Sequence, residues 1–188
     1  MKSTGYKLNT HKRESGVYML DMMIALAVGV ILLCTGVPTF SSVVHKNRIT
    51  SVSTLLYMSL NEARSEALKR RNPVRVCPSA NGTSCRNDGD WSDGWLIFED
   101  VNANSAPDST EIIQLVSTFD ENVDMQVSTS LAGFVQFQPT GAALGSGGNT
   151  GEFRLCHADS SAYSRVVSIS ATGRVSDESR TRTDCNAI

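Results

Sequence analysis

One uncharged stretch constrains this chain more than any other feature: residues Met22 to Val37 read MMIALAVGVILLCTGV, with nothing more polar than Thr35. The wider segment Val17 to Phe40 is 24 residues long and holds a single ionisable group, Asp21. As a helix it would reach roughly 36 Å, enough to cross a hydrocarbon layer about 30 Å thick. Lys2, Lys7, Lys12 and Arg13 precede it, and polar Ser41, Ser42, His45, Lys46, Asn47 and Arg48 follow. Those flanks fit a membrane-spanning segment better than a buried core helix. Positive charge stays cytoplasmic, so residues 1–16 lie inside and the rest is exported. Asp21 then sits near one end of a membrane segment, where an acid calls for a neutralising partner.

Composition matters here because it hides a division. The formal net charge of -2 comprises +3 over the first 16 residues, four bases against Glu14, and -5 over the rest, since -2 minus +3 is -5. No global basic field exists to hold nucleic acid over the whole surface, so any basic site is local. At 188 residues the chain is one ordinary domain plus an extension. Charged residues make up 19% and apolar ones 40%, which excludes an acidic disordered tail and a Glu- and Lys-rich coiled coil.

Gly36 and Pro38 fall near the end of the apolar run, where a proline removes a backbone hydrogen bond and kinks a helix. Beyond them Val44, Thr50, Val52, Leu55, Leu56, Leu60, Ala63 and Ala67 recur at three- and four-residue steps, with Asn47, Arg48, Asn61, Glu62, Arg64, Glu66 and Lys69 on the other face. This predicts an amphipathic helix over 41–71, ended by Asn72-Pro73. Residues 17–71 would form a rod roughly 80 Å long, whose first part, 17–40, spans the membrane.

From residue 72 to 188 the period changes. Short apolar or alternating runs at Val74–Cys77, Trp95–Glu99, Ile112–Val116, Val123–Val127, Phe134–Phe137, Phe153–Cys156 and Arg165–Ser170 read as strands, separated by turn-rich stretches. No helical crossover lies between them, so the sheet is antiparallel and the class is α+β. The stretch Gly141 to Gly151 reads as turn-rich, and Gly145-Ser146-Gly147-Gly148 within it as a flexible loop.

Cys34 lies in the apolar run and is a small buried hydrophobe there. Cys77, Cys85, Cys156 and Cys185 lie in the exported part, where disulfides form. Cys77 and Cys85 bracket a short loop containing Asn81-Gly82, and Cys156 with Cys185 would staple the last residues to a strand; three connectivities stay open on sequence alone. Enzymatic patterns are absent: His157 adjoins Cys156, but strand neighbours point to opposite faces, and Gly145-Ser146-Gly147-Gly148 lacks the spacing of a phosphate loop. No catalytic residue is assigned. Asp100, Asn102, Asn104, Asp108 and Glu111 fall at five ligand positions of a calcium-loop pattern, with Ser105 where the turn wants glycine. A polar hairpin loop is the competing reading, and no other cofactor is expected.

The string SGVYMLDMMIALAVGVILL resembles the class III leader of type IV pilins and pseudopilins, in which a glycine precedes a short apolar segment, an acid and then a long apolar run. Downstream, Asp90-Trp91-Ser92-Asp93-Gly94-Trp95-Leu96-Ile97-Phe98, Asp100-x-Asn102-x-Asn104, Phe137-Gln138-Pro139-Thr140-Gly141, Phe153-Arg154-Leu155-Cys156 and Ser170-Ala171-Thr172-Gly173-Arg174-Val175 resemble, in order, the blocks of the GspH/FimT family of minor pilins and pseudopilins. The resemblance covers Gly16 to Val175 and implies the type IV pilin fold, a long N-terminal helix packed on an antiparallel β-sheet domain. It implies that a prepilin peptidase cuts between Gly16 and Val17 and methylates Val17. Asp21 stands where the family has glutamate and would pair with the terminal amine of a neighbouring subunit, and Val17 stands where phenylalanine is usual. The implied function is that of a minor pilin in priming or assembly of the pilus fibre, in contact with major and minor pilins through the N-terminal helix. A minor pseudopilin of a type II secretion system is the alternative. The implied location is a single pass in the inner membrane with the C-terminal domain periplasmic, followed by the pilus or pseudopilus. Some family members bind DNA through a Gly-Arg-x-Arg motif; here Gly173-Arg174-Val175-Ser176 keeps one arginine, with Arg180 and Arg182 in the tail. Residues 173–188 carry no net charge, which argues against a DNA-uptake receptor.

Overall fold

The computed structural model describes residues 17–117, 123–157 and 163–180, and within them the side chains of all but 17, 33–42 and 157. The leader residues 1–16, the side chain of Cys34, and Arg182 and Cys185 lie outside that description. The chain divides into two compact units, Met1–Ser41 and Ser42–Ile188. The helix α1 (Val17–Arg70) is continuous in backbone assignment, so Gly36 and Pro38 fall inside it.

In the first unit the described side chains, from Tyr18 to Leu32, are almost all exposed, among them Leu20, Met22, Met23, Leu26 and Ile31. Among the described residues no helix is long and apolar enough to cross a membrane. The expected spanning segment continues into residues 33–42, whose side chains are not described.

Among the described residues the second unit contains the rest of α1 and nine strands: β1 (Val74–Pro78), β2 (Gly94–Glu99), β3 (Ile112–Ser117), β4 (Val123–Val127), β5 (Val135–Phe137), β6 (Ala143–Gly145), β7 (Gly151–His157), β8 (Ser164–Ile169) and β9 (Val175–Arg180). They form a five-stranded sheet in the order β3-β2-β1-β5-β6 and a four-stranded sheet in the order β4-β7-β8-β9, with every pairing antiparallel. Each of the seven runs read from the sequence is one of these strands. The strands β6 and β9 were not anticipated, one inside the glycine-rich stretch and one in the polar tail.

The period-two rule explains how the five-stranded sheet is filled on both faces. Val74 and Val76 of β1, with Trp95 and Ile97 of β2, join the main core, and Cys77 of β1 with Leu96 and Phe98 of β2 form a smaller core on the opposite face. The main core is closed by Phe153, Leu155, Val167 and Ile169 of the four-stranded sheet and by α1. The stripe α1 contributes is Ile49, Ser53, Leu56, Leu60, Ala63 and Ala67, at alternating four- and three-residue steps. This corrects the sequence reading in two places. Leu55, assigned to the apolar face, is exposed, and Ile49 and Ser53, left out of it, are fully buried. Leu55 lies beside the stripe rather than on it, whereas Ser53 is accommodated because its hydroxyl donates to Asp177 Oδ1 at 2.8 Å.

Candidate functional site

Two turns are joined by one side chain of α1. Arg64 Nε donates to the Gly141 carbonyl at 3.1 Å and Nη2 to the Thr172 carbonyl at 3.1 Å, so a single guanidinium holds the β5–β6 turn of one sheet and the β8–β9 turn of the other. Ala143 N donates to Ala171 O across the same junction at 3.1 Å. The blocks Phe137–Gly141 and Ser170–Val175, recognised separately in the sequence, are thus one structural feature. Gly173 has φ 75°, and a Cβ there would stand 1.9 Å from the Gly141 carbonyl oxygen. That glycine is required by packing and backbone conformation. Arg174 follows it, exposed.

A second clasp joins α1 to the edge of the four-stranded sheet. Arg165 on β8 binds the Asp177 carboxylate of β9 through both Nε and Nη2, and Asp177 also accepts from Ser53 of α1. Hydrogen bonding to Asp177 pushes the Arg165 guanidinium further above its already high range. Nearby, Thr50 Oγ1 and the Tyr163 hydroxyl lie 3.4 Å apart, and Lys46 Nζ sits 5.1 Å from the Tyr163 ring centroid. Of the arginines offered for DNA contact, Arg174 and Arg180 are exposed, and Arg180 pairs with Glu178 at 3.6 Å.

The Asp100–Glu111 loop closes on itself. Asn102 Nδ2 and Asn104 Nδ2 donate to Asp108 Oδ2 at 2.7 and 3.3 Å, and Glu111 accepts from the backbone N–H groups of Val101 and Asp108 at 3.1 and 3.4 Å. Asp100, at the first ligand position of the calcium pattern, is buried and accepts from Ser105 N at 3.3 Å. The Arg75 guanidinium stands 3.8 Å from its other oxygen, supplying the neighbouring positive charge that a cation would have to displace or tolerate. Arg75 also donates to Gln136 Oε1 and to the Ser105 carbonyl and lies 4.2 Å from the Phe134 ring centroid. Burial pulls the Arg75 guanidinium below its ordinary range, an effect the Asp100 charge opposes. Among the described residues, no three His, Cys, Asp or Glu side chains gather as a metal site.

Cys77 and Cys85 form a disulfide with Cα atoms 5.5 Å apart. Cys156 is disulfide-bonded as well; Cys185, its expected partner, lies outside the described residues. The glycine stretch expected to be flexible is tied down: Gly147 N donates to Ser130 O at 3.0 Å, Gly133 N to Ser146 Oγ at 3.1 Å, and Ser130 Oγ to Thr150 O at 2.7 Å. Small residues let the two loops meet backbone to backbone, which composition alone does not distinguish from looseness. Asp21 is exposed on α1 in the first unit. The Val17 backbone begins α1, and Gly16 lies outside the described residues.

An N-terminal helix packed on two antiparallel sheets is the architecture of a type IV pilin-like protein. Residues 53–173 match the family described as type II transport protein GspH, and the chain belongs to that family. Its fold is similar to crystal structures of the type IV minor pilin FimU of Pseudomonas aeruginosa in two crystal forms. One shares 22% identity over 70% of this chain and 89% of that one with a TM-score of 0.56, and the other 22% over 69% and 91% with a TM-score of 0.54. No curated protein matches the chain by sequence. The family and fold are those of structural pilins rather than enzymes.

Proposed function

We propose that this protein is a minor pilin, anchored in the inner membrane by residues 17–40 and assembled into a type IV pilus, where it helps prime or cap the fibre. The observation that carries this reading is the likeness of the fold to FimU, a type IV minor pilin, in a chain that opens on a class III leader-like sequence. A prepilin peptidase would cut after Gly16 and methylate Val17. Asp21 would pair with the terminal amine of a neighbouring pilin, since a carboxylate among apolar side chains is stabilised by an opposite charge. The globular unit would present contacts to other minor subunits, and no cofactor enters the reading. A minor pseudopilin of a type II secretion system is supported by the family's description. DNA uptake has weaker support, because the motif keeps Arg174 alone and Gly173 has a packing role of its own.

Sheared surface pili from cells carrying the native chain should contain it, while Asp21→Ala should reach the inner membrane and be missing from the sheared fraction. Equal incorporation of Asp21→Ala would remove the assigned role of the carboxylate. Intact pili with lost protein secretion on deletion would favour the pseudopilin reading.

A further inference from the structure

The disulfide ring Cys77–Cys85 encloses a group of polar atoms centred on Asn81 and Gly82. Asn81 is the one asparagine in the chain followed by glycine. Its carboxamide oxygen accepts from the backbone N–H groups of Thr83 and Ser84, each at 3.0 Å. Its Nδ2 donates to Ser84 Oγ at 2.9 Å. The next nitrogen, Gly82 N, points its hydrogen at Ser79 Oγ, 3.1 Å away, and that hydroxyl donates onward to Ser84 O at 2.7 Å. Ser79 is buried, whereas Asn81 is exposed to water.

From this geometry we infer that Asn81-Gly82 is a self-modification site, at which the backbone nitrogen of Gly82 displaces the Asn81 side-chain amide. Gly82 N gives its proton to solvent hydroxide and attacks Asn81 Cγ, closing a five-membered ring, while Ser79 Oγ, 3.1 Å from that nitrogen, holds it in place. The Cγ oxygen takes up negative charge as the tetrahedral adduct forms, and the Thr83 and Ser84 N–H groups already point at that oxygen, as oxyanion donors do. The Cγ–Nδ2 bond then breaks, Nδ2 takes a proton from water and ammonia departs. Water opens the resulting succinimide at either carbonyl, giving aspartate or isoaspartate with no change of oxidation state. Proximity comes from the chain itself, because the attacking and attacked atoms belong to adjacent residues. Gly82 supplies access, because it places no side chain beside the nitrogen. The product carries a carboxylate where a neutral amide capped the loop, and it loses the Nδ2 donation to Ser84.

The test uses the full chain in detergent, disulfides intact, incubated near neutral pH in heavy-oxygen water and read by peptide mapping with mass spectrometry. The expected result is incorporation of one heavy oxygen at residue 81 at least about tenfold faster than in the same chain reduced, alkylated and unfolded, since an aligned oxyanion donor commonly contributes more than that. Asn81 remaining an amide, or converting no faster folded than unfolded, overturns the proposal. In a folded Ser79→Ala chain the conversion should slow severalfold, and an unchanged rate there overturns the part assigned to the hydroxyl.

Discussion

At Gly173 two demands coincide: a φ of 75°, which residues with side chains rarely adopt, and a carbonyl oxygen 1.9 Å from where a Cβ would be. Left-handed backbone costs an ordinary residue about 1–2 kcal/mol before any clash, so Gly173→Ala should destabilise the chain by roughly 2 kcal/mol or more in urea unfolding. Arg174→Ala, at an exposed neighbour, should stay within about 0.5 kcal/mol. The contrast separates the two halves of a motif that the sequence presents as a unit. If the arginine half bound DNA, a shift would be strongest at low salt, and none is expected at ~50 mM. The Asp100–Glu111 loop obeys the same logic. Its acceptors are engaged by its own backbone and side chains and its first carboxylate faces Arg75, so a calcium titration followed by calorimetry should release no heat. Arg64 was illegible as more than a polar-face residue, because its partners lie 77 and 108 residues away and no local pattern marks them. The cysteine ring was visible as one of three possible pairings because its whole geometry is local, its two ends eight positions apart.

At the scale of elements, the sequence was most informative where one face of a strand or helix is apolar. Trp95 to Phe98 is apolar at every position because β2 is buried on both faces, and such a run announces itself. β9 reads Val-Ser-Asp-Glu-Ser-Arg, with a single apolar residue, and it is held by hydrogen bonds to β8 and by the Asp177–Arg165 pair rather than by hydrophobic burial. No periodicity could have marked it. β6 is three residues long, below the length at which alternation is detectable. In α1 the stripe was found, but its edge was misplaced by including Leu55. Energetics should reveal that edge: Leu60→Ala, at a fully buried position, is expected to cost about 2–5 kcal/mol, and Leu55→Ala less than about 1 kcal/mol. Thermal or urea denaturation of both variants measures the difference directly. Comparable losses would mean that Leu55 is covered when the protein is folded in solution.

On the scale of the whole molecule, charge is distributed by segment. Four basic residues and one acid lie before Val17, and everything after it sums to -5, so the proposed cleavage removes the cationic end and leaves an acidic product. In the proposed reading the positive leader would hold the amino terminus on the cytoplasmic side of the membrane while the rest is exported. After such export its charge would have no further use, and retained next to Asp21 it would compete with a neighbour's amine for the carboxylate. Intact mass measurement of the protein from membranes and from sheared pili should therefore find a chain beginning at Val17, one methyl group heavier than the unmodified sequence, in both fractions. Peptidase-deficient cells should keep residues 1–16 and show none of the chain in the sheared fraction. A mature protein in ordinary cells still carrying Met1 to Gly16 would make it a membrane-anchored protein of another kind, and the pilus reading would fall with it.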